Sequence, residues 1–158
     1  MIEIKNIFKS FGSSEVLIDI SAKFERGKTN LIIGQSGSGK TVLLKCLLGL
    51  YVTDKGELIY DNIYSSRMND EEKINIKKEM GMVFQGSALF DSMTVLENVR
   101  FPLDMLTKYS DREKNEIALK FIDRVNLNDA INKLPSEISG GMQKRVGIAR
   151  AIVLNPKY

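Results

Sequence analysis

Gly34-Gln35-Ser36-Gly37-Ser38-Gly39-Lys40-Thr41 fits the pattern G-x-x-x-x-G-K-[ST] at every position. The flanks suit it. Thr29-Asn30-Leu31-Ile32-Ile33 predicts a buried strand, and Thr41-Val42-Leu43-Leu44-Lys45-Cys46-Leu47-Leu48 predicts a buried helix. Strand, glycine-rich loop and helix in that order make a cradle for phosphate. Residues without Cβ let the backbone take φ > 0 and close on an anion. Successive N–H groups then point into one concavity, and the positive end of the helix adds to the field. Lys40 supplies a mobile charge for the terminal phosphates of a nucleotide, and the Thr41 hydroxyl is a ligand for Mg²⁺. The predicted nucleotide contacts are Gly34, Gln35, Ser36, Gly37, Ser38, Gly39, Lys40, Thr41 and Val42.

Composition narrows the class. A length of 158 residues suits one domain, and 43% apolar with 27% charged residues is an ordinary globular balance. The net charge of +3 is interspersed and too mild to argue for nucleic acid. The single Cys46 excludes an internal disulfide and reads as a small buried hydrophobe in the first helix. Met1-Ile2-Glu3-Ile4-Lys5 is no signal peptide, and no apolar run reaches the ~18 residues of a membrane span.

The rest of the chain alternates by pattern. Residues 2–8 predict a short strand, and residues 9–14 a loop. Val16, Ile18, Ile20, Ala22 and Phe24 have the period of a half-buried strand. Phe11 either stacks on an adenine ring or tucks against the core. Asp61-Asn62 predicts a hairpin turn. Residues 66–78 predict a polar helix, and Met80-Gly81-Met82-Val83-Phe84 a short strand ending at Gln85. Residues 92–106 predict a helix that Pro102 ends or kinks. Ser110-Asp111-Arg112-Glu113 is a capping box, and the next helix carries Ile117, Ala118, Phe121, Ile122 and Val125 on one face. A last helix, to about Leu154, begins at Ser139-Gly140-Gly141-Met142. Ser139 suits its N-cap, and two glycines leave its first amides bare, a second anion-binding helix start.

Ile138-Ser139-Gly140-Gly141-Met142, followed by Gln143-Lys144-Arg145, resembles the signature sequence of ATP-binding cassette (ABC) proteins. Gln85, at a strand end before a helical insertion, resembles their Q-loop, and Phe11 falls at their adenine-stacking position. The resemblance covers the whole chain in the right order. It implies an α/β, RecA-like P-loop NTPase core with an N-terminal antiparallel β subdomain and an α-helical signature subdomain. Residues 1–91 would hold the β subdomain and the first part of the core, 92–140 the helical subdomain, and 139–154 the signature helix. It implies ATP and Mg²⁺ as cofactors, Lys40 and Gln85 in a catalytic role, and Thr41 and Gln85 at the metal. Ser139, Gly140, Gly141 and Met142 would complete the nucleotide site of a second subunit in a head-to-tail homodimer. An integral membrane permease is the implied partner, and the inner face of the membrane the implied place. Residues 86–95 and 140–146 also look like the ATPase of Mla-type bacterial lipid-transport systems, although Met142 stands where the family usually has Gln. A soluble ABC ATPase acting on ribosome or nucleic acid is the alternative, as is a nucleotide-binding fragment without function.

The resemblance also implies a strand carrying the Walker B Asp and Glu, then a D-loop and a switch His. None follows Tyr158, and the sequence contains no His. The expectation is therefore of an N-terminal portion, marginally stable and without hydrolysis by itself.

Overall fold

Strands β1 (Ile2–Phe11) and β2 (Ser14–Phe24) form a long antiparallel hairpin in the computed structural model, which describes residues 1–158. The pairing runs past the predicted strand end at Phe8. Gly12 and Ser13 make the turn, so most of the expected 9–14 loop is strand. The chain divides into two units, Met1–Lys77 and Lys78–Tyr158.

In the first unit the sheet order is β2-β1-β3-β4, with β3 (Lys55–Tyr60) and β4 (Ile63–Tyr64) antiparallel. Asp61 and Asn62 take φ of 45° and 70°, the left-handed pair a two-residue hairpin needs. The simple alternation expected of β2 is broken midway. Asn6 and Asp19 sit at φ 48° and 54°, the register shifts between Ile4 and Ile7, and Asn6 Nδ2 donates to Asp19 Oδ1 at 2.7 Å. On the hairpin-turn side of this bulge the phase reverses, so Leu17 is buried and Ile18 is exposed. The partner strand accommodates the bulge with Gly56 at φ 87°, where a Cβ would lie 2.2 Å from the Asn6 carbonyl oxygen.

Helix α1 (Lys40–Leu47) buries Leu43, Cys46 and Leu47. Burial pushes the Cys46 thiol up, as befits a core residue. Tyr60 donates its hydroxyl to the Leu47 carbonyl at 2.8 Å, and its burial raises the phenol to about 12. Helix α2 (Asp70–Lys78) starts at Asn69, which exchanges hydrogen bonds with Glu72.

The second unit is helical. Helix α3 (Val95–Leu106) continues through Pro102 to Leu106 instead of ending there. A proline forfeits one backbone bond and does not stop a helix whose apolar face, here Val95, Val99 and Leu103, is buried. Helix α4 (Asp111–Arg124) has the predicted Ser110–Glu113 capping box, and α5 (Gly140–Ile152) completes the set. Val99, Leu103, Phe121, Ile122, Val146 and Ala149 belong to one buried cluster. Arg100 bridges α3 and α4 through Asp104, Asp111 and Asn115 at 3.0, 2.5 and 2.8 Å.

Two expected strands do not form. Residues 29–33 have no ladder, and Leu31 and Ile33 are 79% and 83% exposed. Residues 80–84 are likewise outside regular structure. There the Tyr158 N–H donates to the Glu79 carbonyl at 2.9 Å and the Gly81 N–H to the Tyr158 carbonyl at 2.8 Å. That pair of bonds is the unit of a parallel ladder, and it occurs once. An apolar pattern makes a strand only where a neighbour supplies hydrogen bonds, and neither segment has one along its length.

Candidate functional site: two glycine-led helix starts and the Gln85 loop

The loop at 34–41 is built from backbone. Gly37 and Gly39 have φ of 80° and 87°. Gly39, the residue before α1, could carry no side chain. A Cβ there would sit 3.0 Å from the Val16 carbonyl oxygen and 3.1 Å from Leu17 Cδ2, on a left-handed backbone. The Ser38 N–H donates to Gln35 O at 3.2 Å, and Leu43 N–H donates to Gly39 O at 2.8 Å as the helix begins. The amides of Lys40, Thr41 and Val42 precede that bond. Helix α1 has no side-chain cap and no acidic residue in its first turn. Its positive end is thus uncompensated by the protein. Lys40 folds over the loop, donating from Nζ to Gly34 O at 2.8 Å and Gln35 O at 2.7 Å. An ammonium has three donors, so one remains for a ligand. Gly34 to Ser38 and Thr41 are exposed, while Gly39, Lys40 and Val42 are half-buried.

These features test the fit of the implied cofactor. An uncapped helix start under a fixed ammonium suits a polyphosphate. No group of three His, Cys, Asp or Glu side chains gathers to hold a metal. A Mg²⁺ here would take one hydroxyl from Thr41 and its remaining ligands from phosphate and water, its usual habit.

Phe11 lies at the end of β1, 43% exposed. Its ring meets Tyr51 edge-on at 5.3 Å, and Lys9 Nζ lies 5.4 Å from its centre. The ring is neither core nor free: one edge is used, and much of its surface faces solvent.

In the second unit Gln85 is exposed on a tight turn. The Ser87 N–H donates to Phe84 O at 3.0 Å, and Ser87 and Ala88 take φ of 61° and 45°. Two residues not singled out by sequence reading fasten this stretch, one at the turn and one on the segment after it. Arg150, on α5, donates to the Ser87 carbonyl at 2.7 Å. Asn98, on α3, is fully buried. Its Oδ1 accepts from Phe90 N–H at 2.9 Å, and its Nδ2 faces the carbonyls of Phe90, Met93 and Thr94 at 3.1, 2.9 and 3.0 Å. A signal for Asn98 was present: a lone amide between Val95 and Val99 on the apolar face of a capped helix.

Helix α5 starts as expected, with Ser139 Oγ accepting from Met142 N–H at 3.3 Å. Gln143 Nε2 donates to Pro135 O at 2.9 Å, and Arg145 donates to Val125 O and Asn126 O at 2.8 and 3.0 Å. Met142 is half-buried against the helical core, which accounts for an apolar residue there. Gly140 and Gly141 are exposed at ordinary φ. A Cβ on Gly140 would meet nothing within 4 Å, and one on Gly141 only Ser139 Oγ at 3.9 Å. Nothing inside this chain requires glycine at either position.

The phosphate-type loop, the capped glycine helix start and the helical insertion between them define a nucleotide-binding cassette. The comparisons agree, and the chain belongs to the ABC transporter family, whose model matches residues 17–158. The L-cystine import ATP-binding protein TcyC of Bacillus subtilis is 39% identical over 160 residues, covering 99% of this chain and 65% of that protein. Protein TRIGALACTOSYLDIACYLGLYCEROL 3, chloroplastic, of Arabidopsis thaliana is 40% identical over 156 residues, with 98% and 45% covered. The chain therefore spans about half to two thirds of these relatives' length. The fold is that of a solved cassette, the dimeric post-hydrolysis state of MJ0796 bound to ADP and Pi. The TM-score is 0.86 at 34% identity, over 99% of this chain and 71% of that one. No helix is long and apolar enough to cross a membrane.

Proposed function

We propose that this chain carries the nucleotide-gripping and dimer-closing surfaces of the ATP-binding subunit of an ABC transport system. The observation that carries the reading is the state of α1: a helix start with no cap, no acid and an ammonium fixed over its mouth. Bound there, ATP with Mg²⁺ would supply the phosphoanhydride whose cleavage drives transport. Gly34 to Val42 hold the phosphates through backbone amides, Lys40 neutralises the terminal charge, and Thr41 offers its hydroxyl to the metal. Phe11 offers the exposed part of its ring to the base. Gln85, on a turn held by α5, is the metal- and water-sensing side chain. Ser139, Gly140, Gly141 and Met142 close on the nucleotide of a second copy. Glycines that their own chain does not require fit a surface that another molecule must approach closely. The MJ0796 cassette is dimeric, which supports this pairing.

The partner in this reading is a membrane permease, and the chain sits at the inner face of the membrane through it. The cargo we assign is a lipid. The resemblance of residues 86–95 and 140–146 to Mla-type ATPases supports it, as does the diacylglycerol name of the Arabidopsis relative. The Bacillus relative is named for L-cystine instead. Lipid extracted from the purified permease complex would support the assignment, and uptake of cystine by that complex would overturn it.

The test of the site is Lys40→Ala, read by titration with a fluorescent ATP analogue and Mg²⁺. Loss of a charge-assisted contact weakens binding about 10- to 100-fold. Unchanged affinity refutes the site. For closure, Ser38→Cys with Gly141→Cys in the full-length protein should give an intersubunit disulfide only with nucleotide, since Cys46 is buried. A disulfide that forms only within one subunit, or ignores nucleotide, refutes the dimer.

A further inference from the structure

One cavity has no part in this reading. It lies wholly in the helical unit, between the end of α3, the outer face of α4 and the segment after α5, and its volume is about 550 Å³. That is the size of small-ligand pockets, which run from about 300 to 1,000 Å³. Its floor is apolar: Leu103, Phe121 and Val153 are 1%, 8% and 3% exposed. Its rim is cationic, with Lys78, Lys120 and Arg124 and no carboxylate among the lining residues.

The rim charges are not spent on ion pairs. None of the three has a carboxylate within 4 Å, although eight other lysines and arginines in the chain do. The acids nearest in sequence are committed elsewhere. Glu113 accepts from the Ser110 N–H and hydroxyl at its capping box, and Glu116 pairs with Arg112 at 2.9 Å. Glu79 faces Lys157 at 3.6 Å, and Asp123 accepts from Asn128 at 2.6 Å. Arg124 lies over the Phe121 ring at 4.9 Å, so its guanidinium is placed at the edge of the apolar floor. Cations around a dry floor recognise a molecule that is anionic at one end and hydrocarbon at the other.

We propose that this hollow binds an anionic amphiphile, a hydrocarbon chain or ring bearing one phosphate or carboxylate. The apolar part lies on Leu103, Phe121 and Val153, and the anion meets the cations Lys120 and Arg124, with Lys78 also lining the hollow. The site does not depend on the nucleotide loop, so it stands or falls separately from the proposed function. The same chemistry occurs in a free amphiphile and in an acidic lipid headgroup at a bilayer.

The test is calorimetric titration of the chain with dodecyl phosphate below its micelle concentration, alongside dodecyl maltoside and inorganic phosphate. Dodecyl phosphate should bind at least about 10-fold more tightly than either, because only it satisfies rim and floor together. Lys120→Ala and Arg124→Ala are surface changes that leave folding intact, and each should weaken it about 10-fold. Leu106→Asn, at the exposed lip, should weaken dodecyl phosphate and leave inorganic phosphate unchanged. Sedimentation with phosphatidylcholine vesicles, with or without phosphatidylserine, separates the sources. Charge-dependent pelleting assigns the site to a bilayer lipid, and its absence to a free amphiphile. Equal binding of dodecyl maltoside, or no loss in the Lys120→Ala/Arg124→Ala double variant, overturns the proposal.

Discussion

Replacing Asn98 should unfasten residues 90–94, the segment that follows the Gln85 turn. The side chain is fully buried and faces one N–H donor and three carbonyl acceptors on residues 90–94. Its Nδ2 has only two hydrogens for three carbonyls, so at most three bonds exist together. At about 1 kcal/mol net for each, Asn98→Ala should cost about 3 kcal/mol. That is a large share of the roughly 5–15 kcal/mol a domain commands. Asn98→Asp is the sharper probe. It keeps an oxygen for the Phe90 N–H and turns the other against three carbonyls. The buried carboxyl is then held protonated in the folded state, with its pKa raised. A raised folded pKa gives stability that is complete below the unfolded value of about 3.9 and is lost as pH rises. The Asp variant should therefore lose stability between about pH 4 and 7, whereas the Ala variant should not. Urea unfolding followed by circular dichroism measures both, and hydrogen exchange locates the effect at residues 90–94. A cost below about 1 kcal/mol for Ala, or a flat pH profile for Asp, would refute the clamp.

Gly56→Ala should destabilise by about 2–4 kcal/mol, since it strains a left-handed backbone and drives a methyl into the Asn6 carbonyl; thermal unfolding reads it directly. Glu97 and Glu113 are held below the usual carboxylate range, Glu97 by the Thr94 N–H and then its hydroxyl, Glu113 by the Ser110 hydroxyl and then its N–H. Depressed folded pKa values give stability that is present above the ordinary value of 4.5 and lost as pH falls, so Glu97→Gln with Glu113→Gln should flatten the acid limb of a stability–pH curve. Gly140→Ala should leave stability unchanged or raise it by up to about 1 kcal/mol, and block nucleotide-dependent dimer closure; intact closure would remove the role given to that glycine.

Local chemistry was legible in the sequence wherever a few adjacent residues settle the outcome. The 34–41 loop, the Asp61-Asn62 turn, the Ser110 box and the Ser139 cap all form where the residues place them. What needed distant partners was not legible. Residues 29–33 have the composition of a buried strand, yet a strand is a pairing relation, and none is made there. The phase change in β2 depends on Asn6, thirteen residues from Asp19, accepting the same bulge. Asn98 and Arg150 are not singled out by sequence reading, because nothing adjacent in sequence names the carbonyls they meet.

The two glycine-led helix starts show how one backbone device can be set in two states. In α5 a serine oxygen already takes the Met142 amide, at a long 3.3 Å, and Gly140 and Gly141 stand in open space. In α1 no side chain caps the first turn, and the loop glycine is fixed by contact with β2. The α1 start is thus shaped from within its own unit and left uncapped by its own side chains, which suits a preorganised primary grip. The α5 start is partly satisfied by its own chain and shaped by nothing behind it. A surface of that kind adds little affinity alone and gains its worth when a second molecule brings the anion to it. Exchanging the two conditions should exchange the roles. Gly39→Ser would distort the α1 cradle on a left-handed backbone, whereas Ser139→Ala would remove one weak cap and leave nucleotide affinity of the single subunit unchanged.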